Sequence, residues 1–224
     1  MINHDFQIIN TDTDSIFFCK SNGKPFTKEE QEFLLEELHI YMPPMIKWES
    51  DGYYKKVLIV KAKNYILDDG KKRKVKGNAL RCPMKEKALK EFVDNCVELL
   101  LNDKKDQIID LYYQYVREIK CITDITRWSL KKTVTSSVLH PKRTNEQNVL
   151  DAIKDIEYAE GDKIFLYFDI NDKLKLQDFY NNDHSVDRLL EKLYKTMNIF
   201  STVLDINMIP NLKLKKNKKI LEKI

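Results

Sequence analysis

The run Thr11-Asp12-Thr13-Asp14 joins two short β-rich stretches, residues 6–10 (Phe-Gln-Ile-Ile-Asn) and 15–19 (Ser-Ile-Phe-Phe-Cys). Two such stretches around a short polar connection predict a β-hairpin. Alternate residues of a strand face the same side, so we expect the carboxylates of Asp12 and Asp14 to point together from the hairpin tip. Their oxygens are hard ligands that suit Mg²⁺ or Mn²⁺. The competing interpretation is an ordinary acid-rich turn.

The residues that follow the hairpin predict one helix and three extended segments. Thr27-x-x-Glu30 is a capping box and predicts an amphipathic helix, which Pro43-Pro44 ends. Extended segments are expected over residues 45–50 and 54–67, with Asp51-Gly52 as the turn between them. Asp69-Gly70 predicts another turn, into a basic strand over residues 71–75.

The pattern of apolar residues changes from that of strands to that of helices after Pro83. Apolar residues recur at helical spacing over residues 88–100, 108–119 and 186–197, and Thr144-x-x-Gln147 opens a further helix. Residues 163–168 read as a strand. We therefore expect an α+β chain of two domains, with the sheets in residues 1–83 and mainly helices in residues 84–224.

Composition excludes several classes of protein. The 224 residues are 42% hydrophobic and 33% charged, as in a soluble globular protein. The sequence lacks a long apolar run and a secretory signal, and its four cysteines are widely spaced, so we expect a cytoplasmic protein without a membrane segment. Five scattered glycines exclude a Rossmann fingerprint and a P-loop, and four isolated histidines exclude zinc-finger spacing.

Positive charge is concentrated in one stretch. The net charge is +4, yet residues 71–87 contain eight basic residues and one acid, Glu86. A second cluster of lysines lies between Lys213 and Lys219. Such local fields favour a polyanion as partner. A solvated surface is the alternative for any one of these runs.

The run from Asn10 to Phe18 resembles motif C of the family B DNA polymerases, in which Tyr-Gly-Asp-Thr-Asp-Ser precedes an apolar strand. Asp12 to Ser15 match that motif fully, and Asn10 and Thr11 stand where the family has Tyr and Gly. Four later segments resemble further family segments in the same order. They are residues 34–49, which look like the palm helix and a strand ending in Glu49; Lys63-Asn64-Tyr65; Lys76-Gly77 with Leu80-Arg81; and Gly161-Asp162-Lys163-Ile164.

This resemblance implies a truncated antiparallel palm sheet with the motif C hairpin in residues 1–83, and a mainly helical thumb in residues 84–224. It implies DNA-directed DNA synthesis from dNTPs with two Mg²⁺ ions. Asp14 would be the principal metal ligand and Asp12 a second one, and both would be catalytic. Ser15 and Glu49 would support the site.

The resemblance also implies a grip on primer–template DNA. Lys63 would reach the primer end through the minor groove, and Tyr65 would pack beside the primer strand. The basic stretch would hold phosphates, which position a duplex without reading its sequence. The residues assigned to this role are Lys71, Lys72, Arg73, Lys74, Lys76 and Arg81.

The family's first metal-ligand motif, its fingers motif and its exonuclease motifs do not occur in this sequence. The resemblance therefore implies one chain of a split phage or viral polymerase, acting in the host cytoplasm with an N-terminal chain that carries exonuclease, fingers and the rest of the palm. Sequence alone does not separate a natural split from a piece of a longer polymerase.

Two other functions are open. A non-catalytic DNA-binding subunit of the same fold would keep the thumb and the basic strand. A glycosyltransferase also holds a metal and a diphosphate with an Asp-x-Asp motif, but it needs a nucleotide-binding βαβ region before that motif. The ten residues that precede Thr11 are too few for such a region.

Overall fold

The computed structural model describes residues 6–81, 86–205 and 209. It is an α+β chain, as predicted, and its sheets are antiparallel. The chain divides into two compact units, Met1–Lys55 and Lys56–Ile224. The predicted boundary between residues 83 and 84 lies outside the described residues. No described helix is long and apolar enough to cross a membrane.

The first unit contains the predicted hairpin and the predicted helix. Strands β1 (Phe6–Thr11) and β2 (Ile16–Lys20) pair antiparallel, with a register shift at Ile9. Helix α1 spans Lys28–Ile40. Its capping box is formed: Thr27 Oγ1 accepts the Glu30 N–H at 3.3 Å, and Glu30 Oε2 accepts the Thr27 N–H at 2.8 Å.

Residues 45–55 form no strand, so the segment predicted as extended over residues 45–50 is not part of a sheet. At its start, the Ile46 N–H donates to the Pro43 carbonyl at 2.8 Å and closes a turn. Leu34 is the single buried residue among residues 6–55. The described part of this unit, residues 6–55, therefore has very little apolar core of its own.

The second unit begins with a three-stranded sheet of order β3-β4-β5, made of β3 (Lys56–Lys61), β4 (Asn64–Asp68) and β5 (Arg73–Lys76). The single extended segment predicted over residues 54–67 is thus a hairpin. Its turn is Ala62-Lys63, where Lys63 adopts a left-handed φ of 60°. The predicted basic strand is confirmed as β5.

Helices pack against this sheet to form the larger core. The helices of the unit are α2 (Asn78–Arg81), α3 (Lys87–Leu101), α4 (Gln107–Lys120), α5 (Ser136–Leu139), α6 (Thr144–Ile153) and α7 (Val186–Met197). Leu58, Val60 and Ile66 of the sheet share one buried cluster with Phe92 of α3 and Tyr112 of α4. The helices predicted from apolar spacing are confirmed.

The sequence predicts only one of the three strands of a second sheet in this unit. Strand β7 (Lys163–Phe168) has the predicted bounds, but β6 (Leu130–Thr133) and β8 (Leu174–Leu176) flank it on either side. Its apolar face packs with α5 and α6 into a separate small core that includes Val138, Val149 and Leu166.

Candidate functional site

The two predicted metal ligands lie in the turn that closes the β1–β2 hairpin. Residues 12–15 connect the strands, and the Asp12 N–H donates to the Ser15 carbonyl at 2.8 Å. Asp12 Oδ1 accepts the Thr13 N–H at 2.8 Å. The carboxylate of Asp12 therefore caps the turn, whereas Asp14 is exposed at its tip. Turn geometry, and not strand alternation, sets the direction of these side chains.

The strand leading into this turn is irregular. Ile8 pairs with Phe18 and Asn10 with Phe17, so Ile9 is an extra residue in β1. A bulge of this kind reverses the facing of the residues that follow it and re-aims side chains near the strand end. The register is regular again at Thr11, which pairs with Ile16 at the base of the turn.

The donor set at this tip fits Mg²⁺, which commonly takes one or two protein carboxylates together with substrate phosphates and waters. Ser15 is half-buried and supplies its carbonyl to the turn. Glu49 is exposed in a segment without regular structure. Among the described residues, no group of three or more His, Cys, Asp or Glu side chains comes close enough to hold a metal. Asp12, Asp14 and Glu49 therefore do not form a three-acid centre.

Two segments of the family resemblance meet at one end of the β3-β4-β5 sheet. Gly77 follows β5 and packs on the β3–β4 turn: a Cβ at this position would lie 2.3 Å from the Lys63 carbonyl oxygen and 2.3 Å from Asn64 Oδ1. Its φ of +89° also favours glycine. Tyr65 pairs with Lys76 in the sheet and is only 7% exposed, so little of its surface is available to a ligand.

Lys71 and Lys72 lie at the opposite end of this sheet. Asp69 Oδ1 accepts the backbone N–H groups of both residues at 2.6 Å, and these hydrogen bonds lower the pKa of Asp69. The four-residue strand β5 separates this turn from Gly77, a distance of about 14 Å. The predicted DNA-binding residues are thus spread along the sheet.

Arg73 differs from its neighbours in β5. Its Nε lies 2.9 Å from Asp68 Oδ2, its Nη2 lies 3.1 Å from Glu98 Oε2, and its Nη1 makes a further ion pair with Glu98. The guanidinium lowers the pKa of both carboxyls, and they raise its own pKa. Glu98 on α3 was missed at the sequence level, because it is 25 residues from Arg73.

The candidate residues fall into both units. Asp12, Asp14, Ser15 and Glu49 belong to Met1–Lys55, and the predicted DNA-binding residues belong to Lys56–Ile224. Arg81 is the last residue of α2. No protein-family model matches this chain, and no curated protein matches it at a significant level.

Proposed function

We propose that this chain is the C-terminal part, palm remainder and thumb, of a family B DNA-directed DNA polymerase. The observation that carries the proposal is the turn at residues 12–15. It stands at the tip of an antiparallel hairpin, exposes Asp14, and has the sequence Asp-Thr-Asp-Ser that resembles motif C. Its contribution to template-directed nucleotidyl transfer is an aspartate pair and a grip on primer–template DNA.

Asp14 and Asp12 would hold Mg²⁺. Mg²⁺ held there would supply Lewis-acid activation of the primer 3′-hydroxyl and charge neutralisation on the dNTP triphosphate. The role of this chain is to present the two carboxylates on a short turn. The backbone hydrogen bond from the Asp12 N–H to the Ser15 carbonyl closes that turn, and Asp12 Oδ1 accepts the Thr13 N–H within it. The exposed Asp14 would be the principal ligand.

The basic sheet would hold the duplex. Lys71, Lys72, Lys74 and Lys76 are exposed along β5 and the turn before it. Lysines at such positions contact phosphates and add affinity without sequence preference. Lys63, at the β3–β4 turn, is proposed to reach the primer end from the same sheet.

The proposed partner is an N-terminal polymerase chain or segment that carries exonuclease, fingers and the remaining palm. Eight of the twelve large apolar side chains that the described residues expose lie between residues 6 and 55, including Ile8 at 62% and Ile9 at 41%. Strand β1 contains no charged residue and no proline, although native sheets commonly protect an open edge with such residues. These side chains are the candidates for the surface that such a partner would cover.

DNA binding by the chain tests the proposed contacts between the basic sheet and the duplex. We expect fluorescence anisotropy with a labelled primer–template duplex to give an affinity that falls as salt rises. The double variant Lys74→Gln/Lys76→Gln should reduce the slope of log K against log salt by up to about two units, because each lost phosphate contact accounts for about 0.9. The matched control is Lys104→Gln/Lys105→Gln, which removes two exposed lysines from the α3–α4 turn. If both double variants have the same slope of log K against log salt, the assignment of phosphate contacts to Lys74 and Lys76 is contradicted.

A further inference from the structure

We infer that Arg73 is a positioning residue and not a phosphate contact: Asp68 and Glu98 hold its guanidinium on the α3 side of the sheet, and the lysines on the opposite side carry the contacts to DNA. This inference rests on the proposed function. It assigns a role to Glu98, which no sequence motif identifies.

Strand alternation separates Arg73 from its basic neighbours. Successive residues of a strand face opposite sides of the sheet, so Arg73 and Val75 share one face and Lys74 and Lys76 share the other. Val75 packs against the larger core, to which α3 contributes. The side of Arg73 is therefore the side that faces the helices. The basic residues of β5 thus lie on two faces of the sheet, with Arg73 on the helix side and Lys74 and Lys76 on the other.

The ion pairs occupy the guanidinium of Arg73 from two directions. Asp68, on the neighbouring strand β4, binds Nε, and Glu98 binds both terminal nitrogens in a two-pronged arrangement. Arginine is well suited to this geometry because its donors are fixed in a planar fork. These contacts use three of the five guanidinium N–H groups, so a phosphate would have to compete with two carboxylates for the positive charge of Arg73.

The three groups join β4, β5 and α3. Asp68 also accepts the Gly70 N–H at 2.7 Å through its other oxygen. One side chain of β5 is thereby tied to the turn that carries Lys71 and to the third helix. We expect this connection to fix the path of β5, and through it the spacing of Lys74 and Lys76 along the duplex.

The two possible roles of Arg73 predict opposite effects of a change at Glu98. Glu98→Gln removes a negative charge, so the field of the protein alone would strengthen DNA binding. If Glu98 positions β5 through Arg73, the same change weakens binding. Asp94→Asn removes another exposed acid from α3 and is the matched control for the effect of losing one negative charge there.

The experiment measures duplex affinity over a salt series for Arg73→Gln, Glu98→Gln and the double variant, well below the unfolding temperature of each. We expect both single variants to weaken binding by a similar factor of about 2 to 5, with the salt slope unchanged. The double variant should be no weaker than either single variant, because the two residues act as one unit.

Two results would overturn the inference. One is a salt slope reduced by about one unit in Arg73→Gln, which indicates a phosphate contact. The other is tighter binding by Glu98→Gln than by Asp94→Asn, which indicates that Glu98 only competes with DNA for Arg73. A wild-type chain whose affinity does not depend on salt contradicts the proposed function itself, and the inference falls with it.

Discussion

Replacing Asp14 by alanine is expected to abolish primer extension by the complex that contains this chain, while the complex still assembles. Asp14 is the exposed carboxylate of the hairpin turn, and losing a principal metal ligand removes several kcal/mol of transition-state stabilisation. The rate of single-dNTP incorporation should fall by at least about a thousandfold. Size-exclusion chromatography of the variant complex checks assembly.

Substitutions at Asp12 separate its two roles. Asp12→Asn keeps an oxygen that can accept the Thr13 N–H and removes the charge, whereas Asp12→Ala also removes the cap of the turn. We expect a smaller loss than at Asp14, and a larger loss for alanine than for asparagine. Asp155→Ala, at an exposed site in the other unit, is the control and should leave the rate unchanged. If the Asp14→Ala complex incorporates a dNTP as fast as the wild type does, the assignment of Asp14 as the principal metal ligand is contradicted.

Gly77→Ala, directly after β5, is expected to be strongly destabilising. Its φ of +89° strains any other residue, and the new methyl group would lie 2.3 Å from the backbone oxygen of Lys63. The backbone strain at residue 77 and the forced displacement of the β3–β4 turn should together lower the free energy of unfolding by roughly 2–4 kcal/mol. Urea unfolding followed by circular dichroism measures the change.

Gly161→Ala is the matched control for Gly77. Its φ is +99°, close to that of Gly77, but a Cβ there would have no heavy atom within 4 Å. The control therefore reports backbone strain alone, and the difference between the two variants reports the contact with the β3–β4 turn. Gly77→Ala should also weaken duplex binding, because Lys63 is displaced. Equal destabilisation of both variants would show that the contact contributes nothing.

Strong local signals made part of this fold predictable. The capping box at Thr27 and Glu30 and the apolar spacing of α3, α4 and α7 each fix an element within a few residues. The position of the acidic pair at a hairpin tip also follows from local sequence. In each case the deciding residues are near neighbours in the chain.

Other elements depend on contacts that the sequence does not display. The β3–β4 turn uses Ala62-Lys63, with Lys63 in a left-handed conformation that glycine or asparagine would have signalled. Strands β6 and β8 are only four and three residues long, too short for a clear alternating pattern. The pairing of Arg73 with Glu98 joins residues 25 positions apart, and only the packed structure brings them together.

Primer extension by the native complex tests the central proposal most directly. The complex would be purified from its source cells through a tag on this chain and assayed on a primer–template with dNTPs and Mg²⁺. We predict extension that requires Mg²⁺ and is lost when this chain carries Asp14→Ala. A complex that binds the primer–template with wild-type aspartates but extends no primer would contradict the account, and would identify this chain as a non-catalytic DNA-binding subunit.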